Sequence, residues 1–113
     1  MLIKKEESQK HVNSPACTVW EYDYPSKNSG FATALINGRY PEKGFVINLE
    51  CDEIFYVLSG TGKVETEKEN NDISEGDIIF LEKGKKYATN GKNLKVCIIN
   101  APKWRLDQHK QIK

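Results

Sequence analysis

From residue 16 to residue 99 the sequence consists of short runs rich in β-branched and aromatic residues, and residues typical of turns separate these runs. Gly, Asn, Asp and Ser dominate the separators, because they adopt the backbone conformations that turns require. No window keeps a 3.6-residue apolar period. About eight short strands with frequent turns favour an all-β sandwich or barrel over βαβ units. The runs are residues 17–22, 30–36, 45–49, 53–58, 63–66, 78–81, 86–89 and 94–99.

The separators and the tail suggest how the chain is organised. Asn37-Gly38 predicts a hairpin turn, since Asn-Gly supports the positive φ angles of such turns. Ser59-Gly60-Thr61-Gly62 and Asn90-Gly91 are interpreted as further breaks between strands. The segment after Pro102 is the one candidate for a short helical turn. We therefore expect an N-terminal arm, a β-barrel domain and a C-terminal tail, at residues 1–14, 15–101 and 102–113.

Composition limits the classes of function. The 113 residues suit one domain, and the formal net charge of +1 gives no support for nucleic-acid binding. No apolar run approaches the roughly 20 residues of a membrane span, and the first residues lack the apolar segment of a secretory signal. We therefore expect a cytoplasmic protein that binds neither nucleic acid nor membrane.

The three cysteines are widely spaced and form no CxxC pair, which disfavours zinc-ribbon and thioredoxin-like sites. In a reducing compartment, Cys17 and Cys97 are expected to be small buried side chains. Cys51 lies two residues before Glu53, so a regular strand would place both on one face. Core packing is the first interpretation for Cys51, and contact with a ligand is the alternative.

Two segments resemble the conserved motifs of the cupin superfamily. In residues 52–64, Glu53 and Gly60 have the six-residue spacing of the first motif, His-x-His, three or four residues, Glu, six residues, Gly. In residues 76–87, Gly76 and Gly84 fall in register with the second motif, Gly, five residues, Pro-x-Gly, two residues, His. The resemblance covers residues 38–99. It implies an all-β, double-stranded β-helix or jelly-roll β-barrel of the cupin type.

The same motifs lack the histidines that hold a metal in most of the superfamily. The two seats of the first motif fall on Ile47 and Leu49, or on Val46 and Asn48, depending on the spacing before Glu53. Tyr87 stands in the seat of the second motif. We therefore expect no metal and no other cofactor. An unusual Cys51, Glu53 and Tyr87 ligand set, in a metal-dependent oxygenase or isomerase, is the alternative.

The only histidines, His11 and His109, lie outside both motifs and near the termini. They are expected at the surface or at a subunit interface. A second interpretation makes the tail a lid that carries His109 to the mouth of the barrel. Trp104, in the same tail, is expected to pack on the barrel or on a second subunit.

The resemblance implies a barrel interior that binds a small organic molecule, since a cupin barrel is wider than its own side chains fill. Burial would raise the pKa of Glu53, and a carboxyl near the Tyr87 hydroxyl could exchange protons. Alternatively, Glu53 only hydrogen-bonds its neighbours. The expected lining is Ile47, Leu49, Cys51, Glu53, Phe55 and Tyr87, joined by Trp20, Tyr22, Phe31, Phe80 and Cys97.

Two functions follow from that cavity. The leading one is a metal-free sensor or accessory protein that binds a small organic ligand as a homodimer. The alternative is an isomerase, epimerase or lyase of a sugar or carbonyl compound, with Glu53 and Tyr87 as the acid and base. Ligand identity does not follow from the residues, because a fold alone does not specify a reaction.

Overall fold

The computed structural model describes residues 1–113, which form nine antiparallel strands and two single 3-10 turns, Lys5–Glu7 and Leu106–Gln108. None of its helices is long and apolar enough to cross a membrane. The predicted all-β class is confirmed. The strands are β1 (Gln9–Ser14), β2 (Cys17–Tyr22), β3 (Gly30–Tyr40), β4 (Phe45–Asn48), β5 (Asp52–Thr66), β6 (Asn70–Ser74), β7 (Ile78–Leu81), β8 (Lys86–Ala101) and β9 (His109–Ile112).

The long strand β8 is the centre of the sheet. One of its edges pairs with β3 and then β4, and the other edge pairs with β5 along almost its whole length. Strands β2 and β1 extend the sheet beyond β3, while β6 and β7 pair with the far edge of β5. Because every strand twists, this sheet curls into a half-barrel with a concave inner face. The candidate site lies on this inner face.

Alternation along β5 confirms the predicted division between its two faces. Glu53, Phe55 and Val57 are buried, whereas Ile54 is half-buried and Tyr56 is 43% exposed. Successive side chains of a strand point to opposite faces, so the first three face the interior. Phe55 and Val57 pack with inner-face residues of β3 and β8, including the fully buried Leu94, to form the core.

The glycines that were predicted to separate strands instead lie inside long strands. Gly38 sits at a bulge within β3 with φ +115°, so the expected hairpin at Asn37-Gly38 is wrong. Gly60 sits at register shifts within β5, where a Cβ atom would collide with the carbonyl oxygen of Asn93. Bulges need the same positive φ and close backbone approach that turns need. Two pairs of predicted strands therefore merge into β5 and β8.

Both ends of the chain extend the sheet. Residues 9–14 form β1, which pairs with β2, and the tail contains β9, which pairs with β4. The predicted helical turn is present as one 3-10 turn, Leu106–Gln108, and the chain then continues as a strand because β4 offers it a free edge. The division at residues 14 and 102 stays a prediction.

Candidate ligand cavity

The concave face of the sheet encloses a cavity of about 710 Å³. Residues of β1, β2, β3, β5, β8 and the C-terminal tail line it, and most of them are apolar or aromatic. Small-molecule sites in proteins commonly have volumes of about 300–1,000 Å³ and a mainly apolar lining with a few polar groups. The cavity therefore has the size and character of a site for a small organic molecule.

Glu53 is the buried charged group of this cavity, with 5% of its surface exposed. Its Oε1 accepts a hydrogen bond of 2.7 Å from the Tyr87 hydroxyl. Its Oε2 accepts hydrogen bonds from the side-chain amides of Asn100, at 2.7 Å, and Asn48, at 3.2 Å. Three donors, two on β8 and one on β4, thus fix the orientation of one carboxyl group.

Burial controls the protonation of this pair. Loss of water raises the pKa of Glu53 above its ordinary value, although the bonds from Asn100, Tyr87 and Asn48 favour the charged form. Burial, reinforced by the nearby Glu53 charge, raises the pKa of Tyr87 well above its ordinary value. Tyr87 therefore stays a neutral phenol that donates to Glu53. Of this pair, the carboxyl is the group whose pKa burial moves towards neutrality.

Asn48 connects Glu53 to the C-terminal tail. Its Oδ1 accepts hydrogen bonds from Trp104 Nε1 at 3.2 Å, Gln108 Nε2 at 3.0 Å and His109 Nδ1 at 2.8 Å. An indole N–H can only donate, so the atom it contacts must be the amide oxygen. The Asn48 amide nitrogen therefore faces Glu53, and one side chain joins the tail to the carboxyl group.

His109 lies on the cavity wall, half-buried beside Trp104, with ring centroids 5.5 Å apart. Burial lowers the pKa of His109, so its ring is neutral near neutral pH. His11 also lines the cavity, but it is exposed on β1. This position agrees with the interpretation in which the tail brings His109 to the cavity.

Four of the eight predicted ligand-contacting residues line the cavity, namely Tyr22, Glu53, Phe55 and Tyr87. Phe31, from the wider predicted lining, does so as well. The other four lie outside the cavity lining, namely Trp20, Ile47, Leu49 and Cys51. Phe80 is 59% exposed on β7, and it and Cys97 also lie outside the lining.

The spacing before Glu53 explains most of these exclusions. Asn48, not Ile47 or Leu49, contacts Glu53, so the four-residue spacing of the first motif is the one this structure has. Strand alternation then turns Leu49 away, and it is 50% exposed. Cys51 is buried against Gln108 and Asn100 instead. Trp20 falls on the face of β2 opposite to the neighbouring residues that line the cavity.

Sequence reasoning missed several polar residues of the site. Asn100 and Tyr40 carry no motif, and Asn48 was identified only as one of two possible histidine seats. A usable signal did exist for Asn48, because the four-residue spacing places it in the second seat. Cys17, rather than Cys51, is the cysteine that lines the cavity, and burial raises its pKa to about 11.

The residues in the seats do not fit the metal that the cupin motifs usually hold. Asn48 and Tyr87 direct their donor hydrogens at Glu53, so the carboxylate of the first motif is already surrounded by hydrogen-bond donors. No three His, Cys, Asp or Glu side chains are grouped so as to hold a metal ion. A divalent transition metal needs several converging nitrogen, oxygen or thiolate ligands. The Cys51, Glu53 and Tyr87 alternative also fails as geometry, since the Cys51 thiol contacts Gln108 and Asn100.

The EutQ-like cupin domain family matches residues 43–96, just under half of the chain. This segment contains both sequence motifs. No curated protein sequence matches the chain.

Solved structures share the fold over nearly the whole chain. Pac13 from Streptomyces, described as a nucleoside dehydratase, has a TM-score of 0.89 at 15% identity and covers 100% of this chain and 91% of its own. A Pac13 variant was solved with uridine at the same TM-score. KdgF from Halomonas sp. has a TM-score of 0.75 at 18% identity, covering 95% of this chain and 98% of its own. Ectoine synthase from P. lautus has a TM-score of 0.76 at 15% identity, covering 100% of this chain and 91% of its own. Identities this low establish a shared fold and no shared activity.

Proposed function

We propose that this chain, which belongs to the cupin superfamily, binds a small organic molecule in its barrel cavity without the help of a metal. The observation that carries the proposal is a cavity of about 710 Å³ with a mainly apolar wall and one buried carboxyl group, Glu53. Such a combination binds the body of a ligand by apolar contact and orients it by few polar contacts. A sensor or accessory binding role suits this arrangement.

Uridine is the first compound to test, because a protein of the same fold was solved with it. A nucleoside has a flat base that can pack on the aromatic wall, and it has polar groups and hydroxyls that can bond to the few polar residues of the cavity. Native mass spectrometry of the purified protein would reveal any co-purified molecule, and NMR titration would measure uridine binding. We expect one molecule per subunit.

A matched pair of β3 variants tests whether that molecule occupies the cavity. Ala34 is buried on the cavity wall, and Leu35 is 39% exposed on the other face of the same strand. Ala34→Phe fills part of the cavity and should abolish retention of the ligand, whereas Leu35→Phe should leave it unchanged. A ligand that binds Ala34→Phe as tightly as the parent protein would exclude the cavity as its site.

A second candidate function is proton transfer on a sugar or carbonyl compound. The 2.7 Å bond between Glu53 and Tyr87 favours it, together with the raised pKa of the Glu53 carboxyl. A carboxyl group with a pKa closer to neutrality is a better acid and base at physiological pH. In this function Glu53 moves the proton and Tyr87 donates a hydrogen bond. Turnover that persists in Glu53→Gln would rule it out.

The outer face of the sheet supports a homodimer. Six uncharged residues of β5, β7 and β8 form an outer stripe, with Ile54 opposite both Phe80 and Ile99, and Tyr56 opposite both Ile78 and Cys97. Ile78 is 68% exposed and Phe80 59% exposed. An exposed apolar patch of this kind is typical of a protein interface. A second copy of the chain fits it best, since two-fold packing places an uncharged stripe against itself.

Native mass spectrometry and light scattering would measure this subunit count. A monomer at all concentrations would exclude the dimer without affecting the cavity. A cytoplasmic location is also part of the proposal, since all three cysteines are free. Free thiols are typical of reducing compartments.

A further inference from the structure

Around the Glu53–Asn48 network, two polar side-chain atoms on the cavity wall have no hydrogen-bond partner within the protein. These are Nε2 of His109 and the hydroxyl of Tyr40, whereas Glu53, Tyr87 and Asn100 bond to one another. The protein contains no side-chain nitrogen or oxygen that is both fully buried and unpaired. Both free atoms are therefore reachable from outside the protein framework, and a molecule in the cavity can reach them.

The contact with Asn48 determines which nitrogen of His109 carries the proton. Asn48 Oδ1 only accepts hydrogen bonds, so His109 Nδ1 must donate across their 2.8 Å contact. Burial keeps the ring neutral by lowering its pKa. A neutral imidazole with its proton on Nδ1 has a lone pair on Nε2. Asn48 thus makes His109 Nε2 a hydrogen-bond acceptor.

Tyr40 supplies the opposite capability. Its ring packs against the core beside the cavity, and burial, with the nearby Cys17 and Glu53, raises its pKa to about 12. The hydroxyl therefore remains protonated at physiological pH and can donate a hydrogen bond. Beside Glu53, the cavity therefore presents one free acceptor, on His109, and one free donor, on Tyr40.

We propose that His109 Nε2 and the Tyr40 hydroxyl are the polar groups that contact the bound molecule, and that this molecule is a neutral, hydroxylated compound. The inference rests on the proposed binding function and deepens it by naming the ligand class. A ligand hydroxyl donates to His109, and a ligand carbonyl or hydroxyl oxygen accepts from Tyr40.

The charges around the cavity favour a neutral ligand over an anion. The buried charged group is the Glu53 carboxyl, and no buried cation accompanies it. Lys103, on the cavity wall, is already paired with Asp23, and Lys10 is exposed on β1. A phosphate or carboxylate placed near Glu53 would meet a like charge at low dielectric, which is unfavourable.

The first test needs no ligand. Two-bond proton–nitrogen NMR spectra of the ¹⁵N-labelled protein report which imidazole nitrogen carries the proton. We expect the Nδ1–H tautomer for His109, with a pyridine-type signal at Nε2, and loss of that preference in Asn48→Ala. Diethyl pyrocarbonate, which reacts with unprotonated imidazole nitrogens, should modify His109 in the folded protein. An Nε2–H tautomer, or a His109 that does not react while His11 does, would overturn the inference.

The second test separates ligand contact from a structural role. In His109→Asn the new amide nitrogen can still donate to Asn48, but nothing replaces Nε2. We expect His109→Asn and Tyr40→Phe to keep the melting temperature of the parent protein. Each should weaken the binding of uridine, or of a co-purified molecule, by about tenfold. Tyr56→Phe makes the same chemical change on the outer stripe and should not alter binding.

The outcomes distinguish the two levels of the proposal. If a molecule binds in the cavity with equal affinity to the parent protein and to both variants, the roles of His109 and Tyr40 are refuted and the binding function stands. If no molecule binds to the parent protein at all, the binding function fails. The tautomer and the reactivity of His109 then still decide whether it presents a free acceptor to the cavity.

Discussion

A β-barrel usually has apolar side chains inside and polar side chains outside, and strand β5 departs from this pattern on both of its faces. On the inner face, a carboxyl group is buried and held by three hydrogen-bond donors. On the outer face, Tyr56 and its neighbours Ile78 and Phe80 expose apolar surface. Buried polar groups and exposed apolar patches are the informative exceptions to ordinary burial. The contrast supports the proposed ligand contact on the inner face and the proposed contact between subunits on the outer stripe.

The largest difference between the faces should be seen on truncation to alanine. Glu53→Ala leaves Tyr87, Asn48 and Asn100 with buried donors that lack their acceptor. Uncompensated buried polar groups are costly, so we expect the free energy of unfolding to fall by about 3–5 kcal/mol. Urea denaturation, followed by fluorescence, would measure the change.

The control for this truncation lies on the outer face of the same strand. Tyr56 makes no side-chain hydrogen bond within the chain and is 43% exposed. Tyr56→Ala should therefore cost less than half as much in the isolated subunit, at concentrations where no dimer forms. Equal costs at the two positions would mean that the Glu53 network contributes nothing beyond ordinary packing.

A charge placed on the outer stripe should weaken the dimer and not the fold of the subunit. Ile78→Lys introduces two charges into a two-fold interface, one from each subunit. We expect the dimer to weaken by about 3 kcal/mol, or roughly 100-fold in Kd, with little change in subunit stability. Sedimentation equilibrium would measure Kd. Leu2→Lys adds the same charge on the N-terminal arm and should leave Kd unchanged, so equal effects would argue against the stripe as the interface.

A smaller and more selective contrast comes from removing one hydroxyl on each face. Tyr87→Phe removes one of the three donors to Glu53, and the two asparagine amides remain. We expect a loss of about 1–2 kcal/mol in the free energy of unfolding and a further rise in the pKa of Glu53. Tyr56→Phe should change stability by less than about 0.5 kcal/mol. Similar small changes in both variants would show that the Tyr87 hydroxyl is not important for the network.

Local sequence patterns predicted the parts of this comparison that depend on neighbouring residues. The Glu53–Gly60 spacing and the position of Tyr87 in the second motif identified the central pair, and alternation assigned the two faces of β5. The positions of the bulges were not predictable in this way. A glycine with positive φ serves a turn and a bulge equally well, so Gly38 and Gly60 did not reveal that their strands continue.

Other parts of the site depend on pairing between distant segments. Asn100 reaches Glu53 across 47 residues of sequence, and His109 reaches Asn48 across 61. Neither contact leaves a local pattern, because each arises only when β8 and β9 take their places beside β5 and β4. For the same reason the sequence could not show that the tail closes over the cavity instead of leaving the barrel.

The pH dependence of stability isolates the inner carboxyl. The pKa of Glu53 is higher in the folded protein than in the unfolded chain, so the folded state holds more protons between these two values. The stability from Glu53 is therefore fully present below the unfolded pKa and is lost as pH rises through the folded pKa. His109, whose pKa burial lowers, acts with the opposite sign: its contribution is present above its unfolded pKa and is lost as pH falls through the folded value.

Glu53→Gln removes only the first of these contributions. The glutamine oxygen can accept from Asn48 and Asn100, while its amide donates to the Tyr87 hydroxyl, so the network can persist without a titrating group. Relative to the parent protein, we expect this variant to gain stability as pH rises from the ordinary pKa of a glutamate towards the raised pKa of Glu53, by less than about 1.4 kcal/mol per pH unit. Denaturation curves at several pH values would measure the difference. Parallel pH profiles would mean that Glu53 titrates as it does in the unfolded chain, and the inner face would then lose the property that most distinguishes it from the outer stripe.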